Sequence, residues 1–251
     1  MRTLGVDLAA AAKKTAVAVI EWDHGAAGLA HLSLDAGDEE ILRLFGTSEL
    51  TGIDSPLGWP DAFLPFLAGH LTFDPHPVLD HDGIAGRRLL AYRDTDRFVT
   101  GHTGLIPLSV SADRLAHPAM RCAVIQAKIA REYGPQARDG SGRLAEVYPA
   151  ASLKLWGIHA RGYKGRGAPE AERLSSAVAD LAVKAPWLDL AGYRADLAAS
   201  DDMFDALIAS LSARAVALGR TLHPGPGQAA AALTEGWIHL PSGQLSGLAS
   251  W

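Results

Sequence analysis

Residues 3–34 read TLGVDLAAAAKKTAVAVIEWDHGAAGLAHLSL, and the fold is decided there. TLGVDL (3–8) reads as a short apolar strand ending near Asp7. TAVAVIEW (15–22) is rich in β-branched and aromatic residues and reads as a second strand. Asp23 to Gly28 reads as a turn, and the alternating LAHLSL (29–34) as a third strand. Three strands with short links imply an antiparallel meander. DEEILRLF (38–45) has the acidic first turn of a helix, with Gly46 as its stop. LTGID (50–54) is then a fourth strand ending in Asp54. A strand-helix-strand order brings it into the sheet by a crossover, parallel to an earlier strand.

Beyond SPLGWP the pattern becomes irregular. Residues 65–85 are rich in Pro, Gly, His and Asp and read as loop. Residues 113–133 read as a helix with Pro118 near its start, and GPQARDGSG (134–142) as a turn. The region 60–140 is therefore expected to be a helical and loop insertion within a single domain, 1–251. RLAEVY (143–148) reads as a fifth strand ended by Pro149. A helix at 150–156 stops at Gly157, and IHARGYKGRG (158–167) is a basic loop. Pro169 opens a helix running to about Lys184. Residues 202–218 form the most apolar helix, with Phe204, Leu207, Ile208, Leu211, Ala215 and Leu218 on one face. GWIHLP, near the end, reads as a short strand or hairpin arm. The expected fold is α/β, a mixed five-stranded sheet flanked by helices, its first three strands antiparallel and the later ones parallel.

Bulk properties narrow the function. With 251 residues, 48% of them apolar and 20% charged, the chain has an ordinary globular composition. Its single cysteine, Cys122, allows no internal disulfide and fits a cytoplasmic location. Asp7 interrupts any apolar leader, and no apolar run approaches the ~20 residues of a membrane span. A net charge of −5 argues against coating nucleic acid by bulk positive charge, though not against a local basic strip.

The chemistry is carried by acids. Asp7 and Asp54 each close a central strand, where open α/β sheets place their sites. A carboxylate there needs a partner, because an unpaired buried charge is costly. The competing reading is that each caps a turn, as Ser55-Pro56 would suit. In SDDMFDALIAS (200–210), Asp202 and Asp205 lie three apart and share a helix face. Asp201 and Asp202 complement the helix dipole, but Asp205 sits one turn further in, among Phe204, Leu207 and Ile208. Glu146, in RLAEVYP, is a fourth candidate, with a salt bridge to a nearby arginine as the alternative. Oxygen donors without a His/Cys pattern favour Mg²⁺ or Mn²⁺ over zinc. Two such ions ~4 Å apart suit phosphodiester hydrolysis.

The order of these acid-bearing elements resembles the ribonuclease H-like superfamily, in which carboxylates meet over the sheet and bind two metals. Asp202 to Leu207, D-x-x-D-A-L, is similar to the C-terminal carboxylate motif of the RuvC-type Holliday junction resolvases. GVDLA, GIDSPLGWP, YRDTD, EVYPAASLKLWG, YK, DALIAS and EGWIHLP, in this order, resemble domain-of-unknown-function family 429, described as predicted nucleases of that fold. The resemblance spans nearly the whole chain. It implies Asp7, Asp54 and Asp205 as metal ligands, Asp202 and Glu146 as ligands or supports, and a metal-dependent nuclease acting on DNA or RNA. One departure is that many ribonuclease H-like nucleases carry Glu where this chain has Asp54.

Basic residues supply candidate substrate contacts. Lys154, Arg161, Lys164 and Arg166 surround Trp156 and Tyr163, a mixture that suits a phosphate backbone with stacked bases. A solvated loop over a buried Trp is the alternative. Arg93 and Arg97 flank Asp94 and Asp96 in YRDTDR and could clamp a phosphate or pair with those acids. Two other classes stay open. GVDLAAAAKKTAVAVI resembles the opening of actin-like kinases and ATPases, with Lys13, Lys14 and Thr15 toward nucleotide phosphates, but a second domain copy and a second glycine-rich loop are not found. A non-catalytic binding module is the other. FDPHPVLDHD gathers Asp74, His76, Asp80, His81 and Asp82 and could bind zinc or iron. No P-loop, G-x-S-x-G, H-E-x-x-H or zinc-finger spacing is present.

Overall fold

A computed structural model describes residues 1–165 and 167–250. The chain begins as a meander, β1 (Arg2–Asp7), β2 (Ala16–Asp23) and β3 (Ala26–Leu34), with antiparallel pairing throughout. Helix α1 (Asp38–Gly46) crosses over to β4 (Leu50–Asp54), which pairs parallel with β1. Five helices follow: α2 (Phe63–Thr72), α3 (His76–Leu79), α4 (Gly83–Ala91), α5 (Asp94–Thr103) and α6 (Ala116–Tyr133). Then come β5 (Leu144–Glu146), α7 (Pro149–Leu155), α8 (Ala168–Lys184), β6 (Leu188–Asp189), α9 (Arg194–Ala199), α10 (Asp201–Ala217) and α11 (Ala229–Glu235). The sheet order is β5-β4-β1-β2-β3-β6. Among the described residues no helix is long and apolar enough to cross a membrane.

The sheet thus has six strands rather than the five expected. The sixth is two residues long and pairs parallel with Ala27 and Gly28. Its sequence, Leu188-Asp189, is too short to show alternation. The turn expected at 23–28 is also shorter: β3 starts at Ala26, where backbone pairing to Asp23 continues the ladder.

The larger correction falls at 65–85, which is helical in α2, α3 and the start of α4 rather than loop. The prolines that suggested loop, Pro65 and Pro77, both sit in first helical turns, where a missing N–H costs little. Asp82 caps α4 by accepting from the Gly83 amide. These helices lack an apolar stripe because they bury little: Leu64, Leu71, Phe73, Leu79 and Ile84 are all exposed. GWIHLP forms no full strand. Ile238 bridges Glu146 in parallel, and Pro241 bridges Thr221.

Strand alternation divides the core between the two sheet faces. Val17 and Val19 of β2 pack with Leu4, Val6 and Ile53 against α1 and α6. Ala16, Ala18, Ile20 and Trp22 face the other side, toward α8 and α10. Helix α10 lies across β1, β4 and β2, and every residue from Phe204 to Ala215 is buried. A single apolar face was the sequence expectation. Burial all round is what a central helix covered by sheet below and helices beside it requires.

Two glycines let α10 come this close. Gly5 and Gly52 are register partners on adjacent strands and both face the helix. A Cβ on Gly5 would lie 2.0 Å from the Ala206 carbonyl oxygen, and one on Gly52 would lie 2.4 Å from that of Ala209. Thr3 continues the same face, its hydroxyl 2.8 Å from Ser210 Oγ.

Candidate metal centre

From Gly52 to Asp54 is two residues of strand, ~6.7 Å. From Ala209 back to Asp205 is four residues of helix, ~6 Å. The backbone contact at the glycines therefore carries Asp205 to the two strand-end acids. Asp7 and Asp54 are themselves register partners. The three side chains each offer a carboxylate oxygen, and these oxygens lie within 4.8 Å of one another. Among the described residues this is the one group of three or more such ligands.

The electrostatics of the trio are unfavourable by themselves. Burial, then the charges of Asp205 and Asp54, push the Asp7 carboxyl well above its usual range. Burial pushes Asp54 up to about 7, with Asp205 and Glu146 adding to the effect against the pull of Lys164. Asp205, 1% exposed, is also raised by burial, although Lys164 and Tyr163 act to lower it. Like charges held in a partly desolvated space raise one another's pKa.

Asp205 is held by the basic loop. The Tyr163 hydroxyl donates to its Oδ1, and Lys164 Nζ lies 2.5 Å from its Oδ2. Burial works against the Lys164 charge, but Asp205, Asp54 and Asp7 together hold its pKa above the ordinary lysine value. Tyr163 is buried, and its phenol is pushed well up by burial and by Asp205. Tyr148 is raised in the same way by burial and by Asp54. YPAASLKLWG gave no separate sign of that tyrosine's place.

The other expected site residues lie around this centre. Asp202 is one turn away and pairs with Lys14 at 3.0 Å. Glu146 stands outside the trio. Arg93 grips both of its oxygens, at 2.8 and 2.7 Å, and the Leu57 amide donates to one of them. Arg93, 1% exposed, also pairs with Asp96 and donates to the Glu235 carbonyl. Its donors are spent inside the protein, as in the salt-bridge alternative, and its burial keeps it from a phosphate at the surface. Arg97 pairs with Asp94. Lys154 is exposed and donates to the Thr103 carbonyl at 2.6 Å. Arg166 lies outside the described residues. Thr15 is buried and its hydroxyl accepts from Arg121, while Lys13 is exposed. In FDPHPVLDHD, Asp74 accepts from the His76 amide, Asp82 caps α4 and His81 Nδ1 meets the Pro77 carbonyl.

A cavity of about 1090 Å³ adjoins the trio through Lys164. Lys154, His159, Arg161 and Arg173 also line it, with apolar surface from Leu105, Leu153 and Ile158. The sequence reading did not include His159 and Arg173. Arg173 is on α8, and only the fold brings it to the loop.

The fold and the site define an α/β protein with a carboxylate centre at the ends of two parallel strands. Residues 5–229 match the family described as "Protein of unknown function (DUF429)", and the chain belongs to that family. No curated protein and no solved structure matches it.

Proposed function

We propose that this protein is a metal-dependent nuclease of ribonuclease H-like type, hydrolysing phosphodiester bonds in DNA or RNA. The observation that supports this most is the meeting of Asp7, Asp54 and Asp205 within 4.8 Å. The donor set fits a hard divalent cation, Mg²⁺ or Mn²⁺: all oxygen, anionic, and raised in pKa by an arrangement that a cation would relieve. The sheet supports the reading as well, with an antiparallel meander, three further strands that pair in parallel and a late acid-bearing helix.

In this reading Asp7, Asp54 and Asp205 hold the cation. Lewis acidity at the scissile phosphate is what a divalent ion supplies at such a site. Tyr163 fixes the rotamer of Asp205 by its hydrogen bond. Lys164, Lys154, Arg161 and Arg173 give the adjoining cavity a positive wall for phosphates, and its apolar surface suits base or sugar contact. Asp202 and Glu146 act from behind: Asp202 anchors Lys14, and Glu146 fixes the chain after Asp54 through the Leu57 amide.

The test is cleavage of single-stranded, duplex, hybrid and branched DNA and RNA with Mg²⁺ or Mn²⁺. Wild type should cut at least one of them, and Asp7→Asn should not. Equal cleavage by Asp7→Asn would remove the proposed site.

A further inference from the structure

The carboxylate trio already contains a cation of the protein's own. Lys164 is half exposed along its side chain, yet its ammonium lies 2.5 Å from Asp205 Oδ2 and is attracted by Asp54 and Asp7 as well. Its neighbour Tyr163 donates to the other oxygen of Asp205. Both oxygens of that carboxylate are therefore engaged before any ligand arrives. A carboxylate oxygen has two acceptor positions, so Asp205 retains one on each. That is enough to reach one ion, but a poor basis for bridging two.

Charge balance points the same way. Three ionised carboxylates carry −3, and Lys164 reduces this to −2. One divalent cation completes neutrality. A second would leave +2 in a partly buried space, with an ammonium beside it, and uncompensated charge there is costly. The loop seats Lys164 firmly. Gly162 and Gly165, both at positive φ, bracket Tyr163 and Lys164. Gly165 N donates to Asp201, and Arg173 on α8 donates to the Gly162 carbonyl.

We propose that Lys164 is the built-in countercharge of the carboxylate centre, so that the site takes one divalent cation and the lysine occupies the place of a second. The inference rests on the metal reading above. It specifies that reading further: the scissile phosphate meets one metal ion and one ammonium group.

The experiment is calorimetric titration of the full-length protein with MnCl₂ near neutral pH, with Mn²⁺ spin resonance on the loaded sample. Wild type should bind one ion and show no Mn–Mn coupling. Lys164→Met should bind the first ion about tenfold tighter or more, since a like charge a few ångströms away is gone, and should admit a second. Lys164→Arg, which keeps the charge, should remain at one ion. Circular dichroism of each variant, with its Tm, separates misfolding from a change in stoichiometry. Two coupled ions in wild type, or a Lys164→Met titration identical to wild type, would overturn the countercharge role and leave the metal site standing. No Mn²⁺ binding by well-folded wild type would remove the metal reading itself, and this inference with it.

Discussion

Asp7 and Asp54 are register partners on adjacent parallel strands, so their carboxylates emerge side by side at the same sheet edge. Such a pair costs stability until something neutralises it. Asp54→Asn should therefore stabilise the metal-free protein at neutral pH, by roughly 1–2 kcal/mol, less than the full pKa displacement because coupled acids share protons. The same change should abolish metal-dependent cleavage. Urea unfolding in chelator, read beside the activity assay, checks both; a destabilised metal-free variant would contradict the repulsion argument.

The pH dependence has a definite sign. The Asp54 pKa rises from its ordinary value near 4 to about 7 in the fold. Between those values the native state holds more protons than the unfolded chain, so its stability falls as pH rises. The stability gap between Asp54→Asn and wild type should be small near pH 4, open through about pH 7 and level off above it.

Metal and protons compete for the same oxygens. Binding of Mn²⁺ should release protons at neutral pH and weaken as pH falls below about 7. Calorimetry in buffers of different ionisation enthalpy measures the proton count directly. A titration with no buffer dependence would mean that the carboxylates were already fully ionised.

Gly5 and Gly52 make the closest passage between sheet and helix. Gly5→Ala places a methyl 2.0 Å from the Ala206 carbonyl, backbone that has no rotamer to yield. It should cost about 1–3 kcal/mol as overpacking and weaken Mn²⁺ binding by moving Asp205 off Asp7. Gly28→Ala, where a Cβ meets nothing within 4 Å, should change neither. Thermal denaturation and metal titration of the two variants form the comparison.

Arg93 ties three parts of the chain together through Glu146, Asp96 and the Glu235 carbonyl. Arg93→Met leaves two buried acids without their cation and should cost about 3–5 kcal/mol. Glu146→Gln should leave the number of metal ions bound unchanged, because Glu146 stands outside the trio. Denaturant midpoints test the first statement, and a metal titration tests the second.

Asp7 and Asp54 were legible because each closes a short apolar stretch that reads as a central strand. GVD at 5–7 and GID at 52–54 set glycine and aspartate at the same spacing, and parallel pairing aligns them residue for residue. Asp205 was legible as an acid on a greasy helix. The helices at 63–91 were not, because they expose their apolar residues and so carry no periodic stripe. The two-residue β6 was not, because alternation needs length.

By itself the sequence determined the local order: a meander, a crossover, acids at strand ends and an apolar helix late in the chain. Those features follow from side-chain periodicity and turn chemistry, which act between near neighbours. Only the tertiary structure decided that Glu146 belongs to Arg93 and that Lys164 belongs to Asp205. Partners separated by 53 and 41 positions are chosen by packing, and the approach of backbone at Gly5 and Gly52 is what brings Asp205, and Lys164 with it, to the strand-end acids.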